Sequence, residues 1–262
     1  MNTRDTLRCP SGLVLVCLVG CLQAFGCDSD SGLHQAAEAG NEARVRRILE
    51  AGANPNARDE RGNTPLHLAA MRDRGAMTVR LLIQAGADVN ARNEQGWTPL
   101  HRVVSAEMAE LLLDAGAEID ARDETGLTPL HIIAGTERGR VTVMEVVGLQ
   151  GDAQQIAKQR IQSAYTARHE ELITFLVAKG ADLDARDIAG RTPLHLAASW
   201  GHEDDGELLV NLGAPLDAKD HLGDTPLDVA TRRGMQEVVA FLKSRGASQG
   251  TSNEHPEQAE HR

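Results

Sequence analysis

The sequence predicts an all-α fold in which six to seven helix–turn–helix units stack into a solenoid with β-hairpin-like tips. Three short phrases that recur at a common period of about 33 residues carry this prediction. The first is Thr-Pro-Leu-His, the second places Gly-Ala after an apolar run, and the third is Asp-x-x-Gly or Asn-x-x-Gly. The first phrase begins at Thr64, Thr98, Thr128 and Thr192, and a copy with Asp in place of His begins at Thr225.

Each phrase has a local structural meaning. Threonine followed by proline favours a helix start, because the threonine caps orphan amides and proline at the first helical position loses no hydrogen bond. A glycine after an apolar run, such as Gly86 after 81–85, can adopt the left-handed conformation that ends a helix. The Asp-x-x-Gly phrase, as in 59–62, is typical of a tight turn. Every unit is therefore expected to contain a turn, two helices and an extended tip.

Together these phrases resemble the ankyrin repeat, whose signature contains T-P-L-H-x-A. The resemblance covers residues 32–248, and it implies paired helices in a curved solenoid with tips that project to one side. The unit that starts near Leu33 lacks Thr-Pro and suits an N-terminal cap. The unit from Thr98 is about three residues short between its helices. Residues 249–262 are polar and are expected to form a disordered tail.

The unit that begins at Thr128 is nearly twice the normal length. Its first helix is expected to end near Gly135, and the sequence around Glu170 resembles a second helix of the family. The extra segment, about 138–168, has apolar residues such as Val141 at helical spacing. Two interpretations remain open, a degenerate repeat that lacks its hairpin phrase and a helical insert. The helical spacing disfavours a mobile loop.

Composition and motifs argue against several functional classes. The 262 residues carry a formal net charge of −11, which disfavours a nucleic-acid binder because phosphate contacts need a basic footprint. The sequence has no phosphate-binding glycine loop, dinucleotide fingerprint or nucleophile elbow. We predict no catalytic, cofactor or metal site. The resemblance implies that the repeated histidines are structural, and the acidic run 202–205 is expected to be a solvated surface turn.

Residues 1–27 resemble the signal segment of bacterial lipoproteins. A weakly basic start precedes an apolar run, 13–25, that is too short for a membrane-spanning helix of about 20 residues. The sequence Leu-Val-Gly-Cys ends at Cys21 and matches a lipobox, so Cys21 is the predicted lipidation site. Cys27 is the alternative, because it follows the whole apolar run and precedes the polar tether 28–31. Lipidation would hold the repeats outside the cytoplasm, in the periplasm or at the surface, on a bacterial envelope membrane.

Partner-binding residues are sought where a unit departs from the repeating phrase, because scaffold positions must be alike for the units to stack. The two tryptophans, Trp97 and Trp200, are the clearest departures. The resemblance places both on the concave, partner-facing surface, where aromatic residues beside arginine are favoured anchors. The alternative role for both rings is to cover a junction between repeats. The same alignment adds Arg72, Arg102, Arg191 and Arg232 to this surface.

These features predict a monomeric, non-enzymatic module that binds a protein partner and is tethered to the bacterial envelope by an N-terminal lipid. The alternative is an inhibitor or immunity-type protein that occludes one envelope enzyme or toxin, and the acidic charge fits a basic partner. An enzyme with its catalytic residues in the extra segment ranks last. That segment holds Glu145, Asp152, Lys158 and Arg160, but no histidine or cysteine.

Overall fold

The computed structural model describes residues 31–72, 75–135 and 167–250. Across these ranges the chain forms six pairs of helices and no strand, which confirms the all-α repeat fold. The pairs are α1 (31–38) with α2 (Glu42–Glu50), α3 (Pro65–Ala70) with α4 (Ala76–Gln84), a 3-10 helix (Pro99–Arg102) with α5 (Ala106–Asp114), α6 (Pro129–Gly135) with α7 (167–178), α8 (Pro193–Trp200) with α9 (Glu203–Asn211), and α10 (Pro226–Arg233) with α11 (Gln236–Ser244).

Several predictions fall outside these ranges. The signal segment 1–27, nearly all of the extra segment 138–168 and the tail beyond 250 lie outside the described residues. Both interpretations of the extra segment therefore stay predictions. Among the residues that the structure describes, no helix is both long enough and apolar enough to cross a membrane.

The helices form two layers. The first helices of successive units pack against one another from α3 to α10, and the second helices pack beside them in their own layer. The leucine of each Thr-Pro-Leu phrase is at most 1% exposed, and so is one leucine of each second helix from α4 onwards. A single unit cannot enclose this apolar face, so each unit depends on its neighbours for a core.

The helix starts follow the sequence phrases. Thr64 has extended backbone angles (φ −88°, ψ 163°), and Pro65 occupies the first helical position of α3. The same start precedes the short unit, where the missing residues leave room for only one 3-10 turn. The chain then becomes extended at Val103 (φ −66°, ψ 145°), and Ser105 caps α5 by accepting the backbone N–H of Met108 at 3.4 Å.

A buried histidine joins each of units two to five to the next unit. In unit two, Nδ1 of His67 accepts the backbone N–H of Thr64 at 3.1 Å and lies 2.9 Å from its hydroxyl. Nε2–H of His67 then donates to the carbonyl of Trp97 at 2.9 Å. These contacts confirm the structural role expected of the histidines. The corresponding carbonyls are those of Leu127 for His101, Arg191 for His131 and Asp224 for His195, at 3.1, 3.0 and 3.1 Å.

The tips are joined by a second set of hydrogen bonds. The backbone N–H of Glu94 donates to the carbonyl of Arg61 in the preceding tip at 3.1 Å. The guanidinium of Arg58 donates to the carbonyl of Gly62 in its own tip and to that of Arg92 in the next, at 3.4 and 2.6 Å. Arg92, Arg122 and Arg186 repeat this pair of contacts one unit further along.

The last unit replaces its histidine with Asp228. The carboxylate oxygen Oδ2 accepts the backbone N–H and the hydroxyl of Thr225 at 2.9 and 2.8 Å, as the histidine ring does in other units. A carboxylate cannot donate to a carbonyl of a following unit. The same oxygen instead accepts the backbone N–H of Gly250 at 2.7 Å. The substitution therefore turns an inter-unit donor into an acceptor that holds the chain beyond α11.

Acidification should weaken the fold below pH 6.5. Burial lowers the pKa of His67 from 6.5 to about 4, and it also lowers those of His101, His131 and His195. Just below pH 6.5 the unfolded chain therefore binds more protons than the folded chain. The stabilisation is complete above pH 6.5 and is lost as the pH falls towards the folded-state values. Each histidine should contribute up to about 1.4 kcal/mol per pH unit in this window.

Urea unfolding between about pH 7.5 and 4.5 measures this dependence. The variant His101→Gln should show a smaller loss of stability per pH unit than the parent. His221→Gln is the control for the loss of an imidazole at an exposed position of a tip. A free energy of unfolding that stays constant from neutral pH to pH 5 would contradict the assignment of these rings as neutral and buried.

Two glycines test how closely the tips pack. Gly86 and Gly96 both have positive φ, 86° and 76°. A Cβ at Gly96 would lie 2.8 Å from the backbone nitrogen of Glu124 in the next tip, whereas a Cβ at Gly86 would meet nothing within 4 Å. Gly86→Ala should cost about 1 kcal/mol for the left-handed backbone. Gly96→Ala should cost about 1–3 kcal/mol more, because the next tip must move. Equal losses in urea unfolding would contradict this packing.

Candidate functional site

The exposed side of the stacked first helices is the candidate binding surface. We call it the first-helix surface. Its apolar members are unusually open to solvent, with 40% of Met71, 36% of Val104 and 53% of Trp200 exposed. Large apolar side chains that remain exposed between buried neighbours are typical of interaction sites. The surface is defined by Met71, Arg72, Arg102, Val104, Trp200 and Arg232.

Trp200 lies at the end of α8, against the preceding first helix. A Cβ on Gly135 of α6 would be 3.6 Å from Cδ1 of the indole and 3.1 Å from Cβ of Leu196. The missing side chain at Gly135 therefore lets α8 and its tryptophan come close to α6. The indole thus lies next to α6, and about half of the Trp200 surface remains exposed to solvent.

Trp97 is half-buried at the junction between the second and third tips. Its indole N–H donates to Oδ2 of Asp123 in the next tip at 2.9 Å. The guanidinium carbon of Arg102 lies 5.2 Å from the centre of a Trp97 ring, within the range of a cation–π contact. This geometry gives Trp97 a junction contact and makes it a platform for Arg102. Its role in partner binding stays a prediction.

The two arginines nearest to Met71 differ in their partners. Arg72 forms an ion pair with Glu38 at 3.2 Å, and both side chains are more than half exposed, so the pair adds little stability. The guanidinium of Arg102 contacts the sulfur of Met71 and the ring of Trp97. Arg102 is partly buried and has no ion pair with a carboxylate among the described residues. Among the described residues, Arg72 is thus paired with an acid whereas Arg102 contacts only sulfur and an aromatic ring.

The other two predicted arginines hold aspartates of the tips. Arg191 reaches Oδ2 of Asp187 through two nitrogens, at 2.6 and 2.8 Å, and the Asp187 side chain is fully buried. Arg232 pairs through one nitrogen with Oδ2 of Asp224, whose side chain is 5% exposed. A partner that recruited either arginine would have to break a contact with a buried carboxylate. The geometry therefore favours Arg102 over Arg191 and Arg232 as a direct ligand contact.

Comparison with known families identifies the array. Residues 33–123 and 161–253 match the family model described as ankyrin repeats in three copies. The chain belongs to the ankyrin-repeat family. The ankyrin-repeat domain of Bcl-3, a member of the IkappaB protein family, is 28% identical, with a TM-score of 0.60 over 83% of this chain and 86% of that chain. The human ASB11 ankyrin-repeat domain is 25% identical, with a TM-score of 0.63 over 82% of this chain and 84% of that chain.

A curated human relative matches over a short stretch. Neurogenic locus notch homolog protein 4 is 50% identical over 44 residues, which are 17% of this chain and 2% of the human protein. The match thus spans about one repeat and a very small part of that relative. It agrees with the presence of ankyrin repeats, and the activity of the human protein is not transferred to this chain. Ankyrin repeats form protein–protein interaction modules, so this coarse function is shown by the family.

Two exposed apolar residues on the ankyrin tips were not predicted from the sequence. Ile188 and Leu222 lie on neighbouring tips and are 68% and 56% exposed. The tips are joined by a hydrogen bond from the backbone N–H of His221 to the carbonyl of Ala189 at 2.9 Å. A signal was available, because Ile188 takes the tip position that is occupied by glutamate in the first three units. These are Glu60, Glu94 and Glu124.

The prediction of a solvated acidic turn at 202–205 was wrong for Asp205. Its side chain is fully buried, 3.2 Å from Nδ1 of His169 on α7 and 3.6 Å from Nδ1 of His202. His202 also lies 3.1 Å from the carbonyl of Ala134. The cluster thus ties α7 and α9 together inside the ankyrin array. In the part of the chain that the structure describes, no group of three or more His, Cys, Asp or Glu side chains could hold a metal ion.

Single-tryptophan variants should report the two indole environments separately. Trp97→Phe leaves the exposed Trp200, whereas Trp200→Phe leaves the half-buried Trp97. Acrylamide should quench the fluorescence of the first variant more steeply. Loss of the hydrogen bond to Asp123 should also make Trp97→Phe about 1 kcal/mol less stable than the parent. Equal quenching of the two variants would contradict the placement of these rings.

Proposed function

We propose that this ankyrin-repeat protein is a non-enzymatic module that binds one partner protein through the first-helix surface and the tips. The observation that carries the proposal is the separation of roles along each unit. The histidine, arginine and glycine contacts repeat from unit to unit and are used in stacking. The exposed residues of the first helices differ from unit to unit and include large apolar side chains.

The proposed mechanism is binding to a preformed surface. Hydrogen bonds between units fix the relative positions of the first helices before a partner arrives, which limits the ordering cost of association. Met71 and Trp200 supply apolar contact area, and Arg102 supplies a directional charge held by Trp97. A tryptophan beside arginine is a composition found at binding hot spots. The protein is proposed to act as a monomer.

Matched methionines test which face binds. Met71 on the first-helix surface and Met77 on α4 are 40% and 49% exposed. Chains of residues 28–262 carrying Met71→Ala with Trp200→Ala, or Met77→Ala alone, would be used to capture partners from solubilised native envelope. The first variant should lose a protein that the parent retains, by about tenfold or more in affinity, and the second should keep it. Equal retention by both variants would refute the first-helix surface as the binding face.

We further propose that an N-terminal lipid holds the protein on a bacterial envelope membrane, with the repeats in the periplasm or at the cell surface. The apolar run 13–25 and the lipobox-like residues 18–21 support this proposal. More than one acyl chain is needed for stable anchoring. Because residues 28–262 contain no cysteine, acylation on sulfur should depend on the N-terminal cysteines alone.

Labelled fatty acid tests the anchor and its position. The label should enter the parent and Cys27→Ser, and it should be absent from Cys21→Ser. Label that persists in Cys21→Ser but disappears in Cys27→Ser would move the attachment to Cys27. A parent that takes up no label in a host with lipoprotein processing would refute the lipid anchor.

The alternative is an inhibitor or immunity-type protein that occludes a basic envelope enzyme or toxin. One observation favours it, since the described second helices carry twelve acidic and six basic side chains. Glu107, Glu110 and Asp114 on α5 have no basic neighbour in that helix. A basic partner would meet this side of the molecule. Glu107→Gln with Glu110→Gln would then weaken a one-to-one complex in which the partner's activity is lost, while Met71→Ala would not.

A further inference from the structure

The two helix layers differ in charge. The second helices are strongly acidic, with twice as many acidic as basic side chains. Among the described residues, the first helices and the two residues after each carry four arginines, Arg72, Arg102, Arg232 and Arg233, against two acids, Glu38 and Asp228. Asp228 is occupied by three donors of its own unit and of the chain beyond α11. A chain with a net charge of −11 therefore presents a locally basic surface on its first helices.

The strongest basic feature of this surface joins two units. The tip that carries Arg61 is joined to the next tip, because the backbone N–H of Glu94 donates to the carbonyl of Arg61 at 3.1 Å. Arg102 of unit three lies over the ring of Trp97, which directly follows that next tip. Burial lowers the pKa of Arg102, and the charge of Arg61 lowers it further. The structure gives neither guanidinium an ion pair with an acidic side chain among the described residues. Two neighbouring cations that form no ion pair with a described carboxylate favour an anion from outside the chain.

Asp59 attracts Arg102, and its charge opposes the lowering of the Arg102 pKa, but it forms no ion pair with Arg61 or Arg102. Oδ1 of Asp59 accepts the backbone N–H groups of Arg61 and Asn63, both at 2.8 Å. Its Oδ2 accepts the side-chain amide of Asn63 at 3.0 Å. The carboxylate is therefore turned into its own tip, where it fixes the turn. An incoming carboxylate could approach Arg61 and Arg102 without displacing an ion pair.

One exposed apolar side chain contacts Arg102, and two more lie further along the first-helix surface. Met71 contacts the Arg102 guanidinium through its sulfur. Val104 follows Arg102 in the same short unit and is 36% exposed, and Trp200 lies on the same surface three units beyond Met71. Adjacent packed helices are 8–10 Å apart, so Met71 and Trp200 are separated by roughly 25–30 Å. An extended segment of about nine residues spans this distance.

We propose that the first-helix surface binds an acidic protein segment, whose carboxylates pair with Arg61 and Arg102 and whose apolar side chains lie on Met71, Val104 and Trp200. This inference rests on the proposed function of the surface as a protein-binding face and adds the chemistry of its partner. A nucleic acid is disfavoured, because a polyanion that extends beyond these few arginines would meet the acidic second helices and tips.

Three dye-labelled peptides of about twelve residues test the inference by fluorescence anisotropy with the full mature chain. The first contains glutamate and leucine among serine spacers, and the other two carry lysine or glutamine in place of glutamate. The acidic peptide should bind at least about tenfold more tightly than the lysine peptide, and the difference should shrink at high salt. Preference for the lysine peptide, or competition by a single-stranded oligonucleotide of equal length that displaces the acidic peptide, would overturn the inference.

Arginine variants locate the contact. Arg102→Gln and Arg61→Gln should each lower the affinity for the acidic peptide by about 3- to 10-fold. Arg80→Gln on α4 is the matched control, because Arg80 is exposed on the other helix layer, and its affinity should remain that of the parent. Because Arg102→Gln also loses the contact with the Trp97 ring, its thermal midpoint should fall by no more than about 2–4 °C. A lower midpoint together with unchanged peptide affinity would show that Arg102 is structural, and would overturn the inference.

The outcome is separable from that of the proposed function. If Met71→Ala with Trp200→Ala loses a native partner while Arg102→Gln retains it, the first-helix surface binds protein but the partner is not recognised through carboxylates. If neither variant changes the capture of a partner and the acidic peptide does not bind, the proposed function of this surface fails as well.

Discussion

The hydrogen bond from each buried histidine to a carbonyl of the following unit is the constraint on which the array depends. Nδ1 is occupied by the helix-start threonine, so only Nε2 can donate forward. One side chain therefore fixes the start of its own helix and the distance to the next tip. A buried carbonyl without this donor would lose its partner, at a cost of about 1–3 kcal/mol. The role passes to Asp228 in the last unit, where the carboxylate accepts a backbone N–H instead.

This constraint explains where sequence variation is found. Positions that contact the histidine, the tip arginine or the buried leucines must be the same in each unit, because the next unit packs on them. The exposed residues of the first helices are released from that requirement and differ from unit to unit. Methionine, valine, tryptophan and arginine accumulate there, while acidic residues predominate on the second helices. The repeated contacts thus hold a variable surface in a fixed geometry.

The sequence predicted the units, their helix starts and the structural histidines, because those features depend on residues close together in the phrase. It did not predict the buried Asp205, whose partner His169 is 36 residues away and follows a segment without a repeat phrase. The hydrogen bond from Trp97 to Asp123 and the contact of Arg102 with the Trp97 ring were likewise not predicted. These contacts depend on the distance between stacked units, which the spacing of phrases along the chain does not give. The family resemblance placed Trp200 on the partner-facing surface, with covering of a repeat junction as the alternative, whereas its position beside Gly135 required the structure.

The hydrogen bonds between units are tested most directly by determining the tautomer of the buried histidines. Long-range ¹H–¹⁵N correlation spectra of His67, His101, His131 and His195 report which ring nitrogen carries the proton. The inter-unit hydrogen bonds require the Nε2–H form for all four rings at neutral pH, with slow exchange of that proton. Because burial lowers their pKa values, no ring should titrate near the ordinary histidine pKa of 6.5. Protonation on Nδ1, or rings that titrate near pH 6.5, would contradict the inter-unit hydrogen bond and with it the fixed geometry of the first-helix surface.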